Sequence, residues 1–490
     1  MQLNHKFQGA SFDSLMLSFV KFLTIAVGII STMILSRHLS LESYGTYSQG
    51  LLIISLGTSF SVLGLGDAVN YYFNQSGGEK REYLNTVFAI EFAAGVLVFA
   101  AIMLFQGRLT AYFLNPLLYP LYILIAFRPL FGNLSLMLQV LHISIGNARL
   151  VAYRNVIIAL LKLAAVMVTS FLTKDIATIF VVLLAVEAVQ TAAFAAVFFK
   201  RGLVINPLKA KLRLVFPILR YCVPMAVYVM TNSLARDMDK LIIGRYCGTD
   251  VLAIYTNCAK VLPFDIVATA FATVMLPYIT RYLSKQDYEK GRNLLANYLR
   301  IGYMSTWMLV GGAVVAAREM VCFLYGPQYL PGVRVFIIYL LVDMCRFTNL
   351  SLVLSAAGRT KQLMFYSLVS VAANYVLNIV LYQLIGVEGP AIATFIVMLG
   401  MSFALMSQSA NILKGKLLGM LGLKEMLLLL VQMAIAGLAA AVVRTLLLNA
   451  GLHQYIVMFV VYLLFAGSVF VLNRKKLIGL FQKINHLKMQ

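Results

Sequence analysis

The chain has 490 residues, 61% of them hydrophobic and 12% charged, with a mean hydropathy of +0.87. A soluble domain is about 45–50% apolar and about 25% charged, so the composition excludes a soluble enzyme, a disordered chain and a nucleic-acid binder. The net charge of +22 sits in a chain with too little polar surface to display a soluble cationic face.

Runs of about 17–25 apolar residues read as membrane-crossing helices, and fourteen follow one another along the chain. Spans 1 to 6 are Ser14–Leu35, Tyr47–Val69, Tyr83–Phe105, Leu118–Leu141, Asn155–Leu172 and Ile176–Phe199. Spans 7 to 12 are Tyr221–Ile243, Leu252–Leu276, Tyr298–Ala317, Val335–Ala356, Leu363–Leu384 and Ala391–Ser407. Spans 13 and 14 are Met426–Leu448 and Tyr455–Leu472. Barrel strands alternate in and out; these runs are too long and too evenly apolar for that. The first run follows thirteen mostly polar residues and lacks a small-residue cleavage site, so it reads as a retained helix and not a signal peptide. Five cysteines without a CxxC pair and five scattered histidines offer no metal or cofactor motif.

With the N-terminus inside, 25 of the 40 Lys and Arg fall in inner loops and seven in outer loops. Basic loops resist translocation, so both termini are expected to be cytoplasmic. The count places Arg154 among the inner loops and Arg444 among the outer ones. No P-loop is present, and the longest loops run to about twenty residues, which points away from an enzyme and from a nucleotide-driven pump.

The chain also echoes itself. ILSRHLSLESYGTYS from Ile34 aligns without a gap with IIGRYCGTDVLAIYT from Ile242, pairing Arg37 with Arg245 and Tyr47 with Tyr255. Gly146 and Gly358 make a second echo at a similar offset. Six spans per copy gives two parallel repeats. The expected organisation is a first six-helix bundle over 1–200, a basic cytoplasmic linker over 201–220, a second bundle over 221–412, and an added helix pair with a basic tail over 413–490.

These tracts carry a resemblance. RHLSLESYGTYS and LGLGDAV, PMAVYVMTNSLARDMDKLIIG with AIYTNCAKV, LYGPQYLPGV, AAGRTKQ and NYVLNIVLYQLIGVEGPAIAT resemble, in order along nearly the whole chain, the bacterial polysaccharide-export flippases. That family handles lipid-linked oligosaccharides of O-antigen, capsule and exopolysaccharide pathways, and shares a superfamily with multidrug-and-toxin exporters and the lipid II flippase. The resemblance implies an all-α membrane protein of two six-helix bundles in a V plus two extra helices. It implies transfer of undecaprenyl-pyrophosphate-linked repeat units from the inner to the outer leaflet of the cytoplasmic membrane by alternating access, next to polysaccharide polymerase or export proteins. Two alternatives stay open: a cation-coupled multidrug or metabolite antiporter of the same superfamily, and a non-transporting scaffold in envelope polysaccharide assembly.

Charges inside spans are costly and belong in the bundle interior or beside water. The span cations are Lys21, Arg128, Lys162, Arg236, Lys240, Lys260, Arg300 and Arg346; the span acids are Asp67, Glu91, Glu187, Asp237, Asp239, Asp265 and Asp343. The resembled architecture lines its cleft with spans 1, 2, 7 and 8. Lys21, Arg128, Arg236, Lys240 and Lys260 are therefore expected to form a cationic track for the pyrophosphate and sugars. Glu91, Asp265 and Asp343 are candidates for coupling to H⁺ or Na⁺. A structural reading stands beside each: Arg236 with Asp239, Asp237 with Lys240, and Asp343 with Arg346 have helical pair spacing. Lys162 with Glu187, and Glu91 with Arg128, can meet between neighbouring helices. Arg300 sits near enough to a helix end to snorkel. Pro129, Pro224 and Pro263 mark points where spans can bend.

Overall fold

A computed structural model describes residues 2–66, 68–69, 80–173, 175–200 and 205–489, with side chains described outside 2–19, 199–200, 224–225, 273–274 and 484–489. Asp67 and the side chain of Pro224, both singled out from the sequence, lie outside the described residues. The described chain is helical throughout and divides by packing into two units, Met1–Ala253 and Ile254–Gln490.

In the first unit the helices are α1 (Gln2–His38), α2 (Leu41–Ser61), α3 (Lys80–Phe113), α4 (Tyr122–Ser144), α5 (Ala148–Leu172), α6 (Ile176–Lys200) and α7 (Leu212–Tyr246). A further helix, α8 (Gly248–Cys258), leads out of it. One helix of this unit buries a polar face among its neighbours. α2 carries Thr46, Ser48, Gln49 and Ser61, all buried, and packs against α3, α4, α6 and α7. Its composition keeps it outside the lipid-crossing class, because what surrounds it is protein and polar partners are at hand. Asn115 donates to Thr46 Oγ1 at 2.9 Å and to Gln49 Oε1 at 2.6 Å.

The repeat assigns span 7 to the second bundle, whereas the packing holds α7 to the first unit. Ser55 of α2 donates to Asp237 at 2.7 Å, and Arg245 donates to the carbonyls of Ala111 and Tyr112 at 2.9 and 3.0 Å. At the base of α7, Lys211 and Arg213 pair with Glu82 of α3 at 2.5 and 3.2 Å.

The second unit is built around α10 (Tyr288–Val315), which contacts α9 (Ile266–Ser284), α12 (Val333–Cys345), α17 (Leu423–Asn449) and α18 (Gln454–Met489). The remaining helices are α11 (Ala317–Tyr325), α13 (Leu352–Ala356), α14 (Thr360–Ile385), α15 (Gly389–Ile412) and the short α16 (Leu417–Leu421). The added pair, α17 and α18, thus packs directly on the central helix. Gly311 and Gly312 admit the rings of Phe465 and Tyr462, where a Cβ would collide. Arg444, within the bounds of span 13 although counted with the outer loops, lies inside α17 and bonds Glu319 of α11 through Nε at 2.9 Å.

The count of fourteen spans is not confirmed. Among the described residues, 11 helices are long and apolar enough to cross a membrane, or up to 13 if two bent helix pairs each make one span. Several expected spans are discontinuous, spans 8 and 10 among them. Span 8 breaks between α8 and α9 at a short turn over Pro263–Asp265, where Pro263 falls as the sequence suggested. Span 10 ends its first helix at Cys345 and resumes at Leu352. Pro129 remains inside α4. The two glycines of the second echo adopt the same left-handed turn, φ +82° at Gly146 and +69° at Gly358. Each is followed by a closing bond of the same span, Asn147 N–H to His142 O and Arg359 N–H to Leu354 O, both 2.9 Å.

Gly45, in the YGTY tract, lies where a Cβ would be driven into the Thr249 carbonyl. Gly45→Ala is expected to lower the thermal midpoint of the detergent-solubilised protein, by an amount equivalent to about 1–3 kcal/mol. Gly28→Ala, with no neighbour within 4 Å of the new methyl, is the control and should leave the midpoint unchanged.

Candidate functional site

Two charged clusters, one in each unit, hold most of the candidate residues that the structure brings together. In the first unit, an open groove of about 650 Å³ runs between α1, α4, α5 and α6, lined by Lys21, Ser135, Gln139, Arg154, Lys162 and Glu187 together with apolar neighbours. Its focus is Glu187, near the middle of α6. One carboxylate oxygen accepts from Arg128 at 2.9 Å and from Lys162 at 3.0 Å, and the other accepts from Arg128 Nε at 3.2 Å. The guanidinium fork of Arg128 matches a carboxylate with two parallel bonds. Both partners are close to nine-tenths buried, at 11% and 10% side-chain exposure, whereas Lys162 keeps 33%. Tyr47 of α2 stands beside the Arg128–Glu187 pair.

Sequence reasoning anticipated the Lys162–Glu187 pair and left Arg128 to Glu91. The structure instead gives Arg128 to Glu187. Glu91 is 1% exposed and has Asn133 beside it. The Asn133 amide donates to Thr58 O at 3.2 Å and to Ser61 Oγ at 2.6 Å.

Arg154 is the residue the sequence missed. Counted as a loop cation, it lies inside α5 and reaches into the groove, donating to Gln139 at 3.1 Å and Asn155 at 2.8 Å, with its guanidinium 4.5 Å from the centre of the Phe194 ring. Its place within the first two turns of a helix hid it, since a charge there looks like a loop charge. The polar residues Ser135 and Gln139, one turn apart on α4, were the available signal.

Of the five expected track residues, the structure brings Lys21 to this groove and joins Arg128 to it through Glu187. Arg236 and Lys240 stand elsewhere on α7. The expected i to i+3 pairs are replaced by neighbours: Arg236 lies 3.8 Å from Asp237 and is 64% exposed, and Lys240 lies 3.2 Å from Asp239. Lys240 is buried and also donates to the Arg236 carbonyl at 3.0 Å. Asp237 accepts from Ser55 of α2 at 2.7 Å.

The second site is the pair of helix breaks in the second unit. Asp343 on α12 accepts from the Leu262 backbone N–H at 3.1 Å, satisfying a donor that the break between α8 and α9 releases. Arg346, just past the end of α12, lies 3.9 Å from Asp343 and 3.8 Å from Asp265. Backbone freed inside a membrane needs polar partners from the protein, and the same holds at the second break. Tyr298 Oη accepts from Asn349 N–H at 2.9 Å and donates to Ala268 O at 3.1 Å, while Trp307 donates to Met344 O at 2.9 Å. Asp265 and Asp343 are therefore brought together, and Lys260 lies in the same break, its N–H bonded to Asn257 O at 3.3 Å. Arg300, expected near a helix end, lies 3.7 Å from Glu425 of α17. Among the described residues no group of His, Cys, Asp or Glu is placed to hold a metal.

Interrupted helices, charged interiors and a surface of exposed leucines and phenylalanines define a multi-pass membrane protein with a transporter fold. A profile of polysaccharide biosynthesis proteins matches residues 34–334, more than half of the chain, and the chain belongs to that family. Among solved structures it is similar to the lipid II flippase MurJ in an inward closed conformation, with a TM-score of 0.71 at 14% identity, covering 94% of this chain and 99% of the other. It is similar also to an inward-facing multidrug resistance MATE family transporter of the MOP superfamily (TM-score 0.65, 12% identity, 80% and 94% covered). A MOP superfamily transporter from Pyrococcus furiosus gives 0.55 at 14% identity, with 82% and 95% covered. At these identities the likeness is one of fold. No curated protein matches the chain in sequence.

Removing one partner of a buried ion pair costs about 3–5 kcal/mol, because the other charge is left uncompensated, whereas replacing both by apolar groups can be neutral. Glu187→Gln is expected to lower the thermal midpoint markedly. Arg128→Met combined with Glu187→Leu should recover most of the loss. A midpoint unmoved by Glu187→Gln would mean that Glu187 does not organise the groove.

Proposed function

We propose that the protein is a flippase for lipid-linked oligosaccharides. It carries undecaprenyl-pyrophosphate-linked repeat units from the inner to the outer leaflet of the bacterial cytoplasmic membrane by alternating access, for O-antigen, capsule or exopolysaccharide synthesis, with both termini cytoplasmic. The observation that carries the reading is the cationic groove of the first unit. Lys21, Arg154 and Lys162 line it with one carboxylate, Glu187, which pairs with Lys162 and with Arg128 behind the wall, an excess of positive charge suited to a pyrophosphate. Lysine is a strongly hydrated point charge and suits an anion that arrives with water. Family membership supports the substrate class. Glu187 keeps Arg128 and Lys162 in place and lowers the cost of burying them.

Arg236, Lys240 and Lys260 complete the track in this proposal. Lys21→Ala combined with Lys260→Ala should reduce transfer of a labelled undecaprenyl-pyrophosphate oligosaccharide in proteoliposomes by about tenfold or more, with insertion and protein level unchanged. Normal transfer in that variant would remove the track. Export of cationic dyes by cells making the protein would favour the antiporter reading instead, and intact glycan export in the same double variant the scaffold reading.

Transfer is coupled, in the same proposal, to H⁺ or Na⁺ through Glu91, Asp265 or Asp343. Asp265 and Asp343 share Arg346 across a helix break, the kind of interrupted backbone where coupling ions bind in transporters. Asp343→Asn should abolish the dependence of transfer on an imposed ion gradient. Transfer that is equally fast with no gradient and no potential would end the coupling.

A further inference from the structure

At one end of the second unit, the start of α10, the turn over 413–416, α16 and the last turns of α18 enclose an open pocket of about 770 Å³. Five cations line it, Arg292, Arg300, Lys414, Lys416 and Lys483, and no carboxylate is among the lining residues. The neighbouring acid, Glu425, is engaged with Arg300 at 3.7 Å. We propose that this pocket binds the phosphate headgroup of an anionic phospholipid, at a site separate from the groove and the helix breaks.

The pocket is built, and is more than a chance cluster of surface lysines. Lys414 sits at a left-handed φ of +53°. Its carbonyl accepts from Arg292 at 3.1 Å, and its ammonium lies 4.1 Å from the centre of the Tyr288 ring. The next residue must be small: a Cβ on Gly415 would press on the Arg292 side chain and on Met420. The turn thereby fixes Arg292 against the pocket wall. Arg300 Nε is buried with no hydrogen-bond partner, a donor left over after the Glu425 contact. Lys416 and Lys483 make no ion pair among the described residues.

A lipid is favoured over a soluble anion by what surrounds the pocket. The helices that form or flank it carry exposed apolar residues, Leu418 on α16, Leu427 on α17, and Ile478 and Phe481 on α18, which suit acyl chains. Its cations come from the basic loops and tail that charge bias assigns to the cytoplasmic face, where anionic lipids concentrate and basic pockets between helices take their headgroups. A headgroup there would bridge α10 to the end of α18, tying the added helix pair to the unit's central helix.

The test uses the full chain, purified in detergent and delipidated. Phosphatidylglycerol or phosphatidylcholine is titrated in, and bound lipid is read by native mass spectrometry alongside the thermal midpoint. Phosphatidylglycerol should be retained and raise the midpoint; phosphatidylcholine should do neither. Lys416→Gln with Lys483→Gln should weaken phosphatidylglycerol retention about tenfold, and Lys416→Arg with Lys483→Arg should restore it. Lys475→Gln with Lys476→Gln, on α18 but outside the pocket, should have no effect. Equal retention of the two lipids, or equal loss in the Lys475/Lys476 variant, would overturn the site. Displacement of the lipid by inorganic pyrophosphate at matched concentration would assign the pocket to a soluble anion and overturn the lipid.

Discussion

The structure depends on one constraint: in a medium without water, each charge and each freed backbone group needs a partner from the protein itself. The first unit answers with a single carboxylate, Glu187, that gathers Arg128 and Lys162. The second answers with Asp343, which accepts the Leu262 N–H at a helix break and faces Arg346, itself shared with Asp265. In both units a charged side chain does structural work and, by the same contacts, keeps other charges poised inside the membrane.

That constraint also explains where polarity lies along the chain. α2 is too polar to cross lipid alone and is wrapped by α3, α4, α6 and α7. α10 holds Tyr298 and Trp307, whose polar atoms close the breaks on its neighbours. By contrast, α14 and α17 bury little of themselves in protein, 11% over each apolar window. The added pair is not peripheral to the second unit. Glycines on α10 let α18 approach closely, and Glu319 on α11 holds Arg444 of α17.

The expected site was partly legible. Lys162 and Glu187 were readable as a pair because their depths on adjacent spans agree. The Arg128 partner was not, because Glu91 and Glu187 lie at comparable positions along their spans and only packing distinguishes them. The α7 pairs were misjudged for a different reason. Helical spacing allows i to i+3 contacts, but Asp237 was already claimed by Ser55 of another helix and Lys240 by the carbonyl of Arg236. Asn232 and Asn378 donate at 2.7 Å to carbonyls of their own helices, Tyr228 and Asn374.

The sequence by itself determined that this is a helical membrane protein with an internal echo, because apolar run length and hydropathy are local properties that lipid reads directly. It determined the family as well, since ordered glycine and proline tracts such as YGTYS and GPQYLPG mark fixed turns and close contacts. Tertiary structure decided where spans 8 and 10 break, that α7 packs with the first unit, and that Arg154 belongs to the groove and not to a loop. Those outcomes turn on which partner reaches a given charge or carbonyl first. That is a question of three-dimensional distance, and spacing along one helix does not contain it.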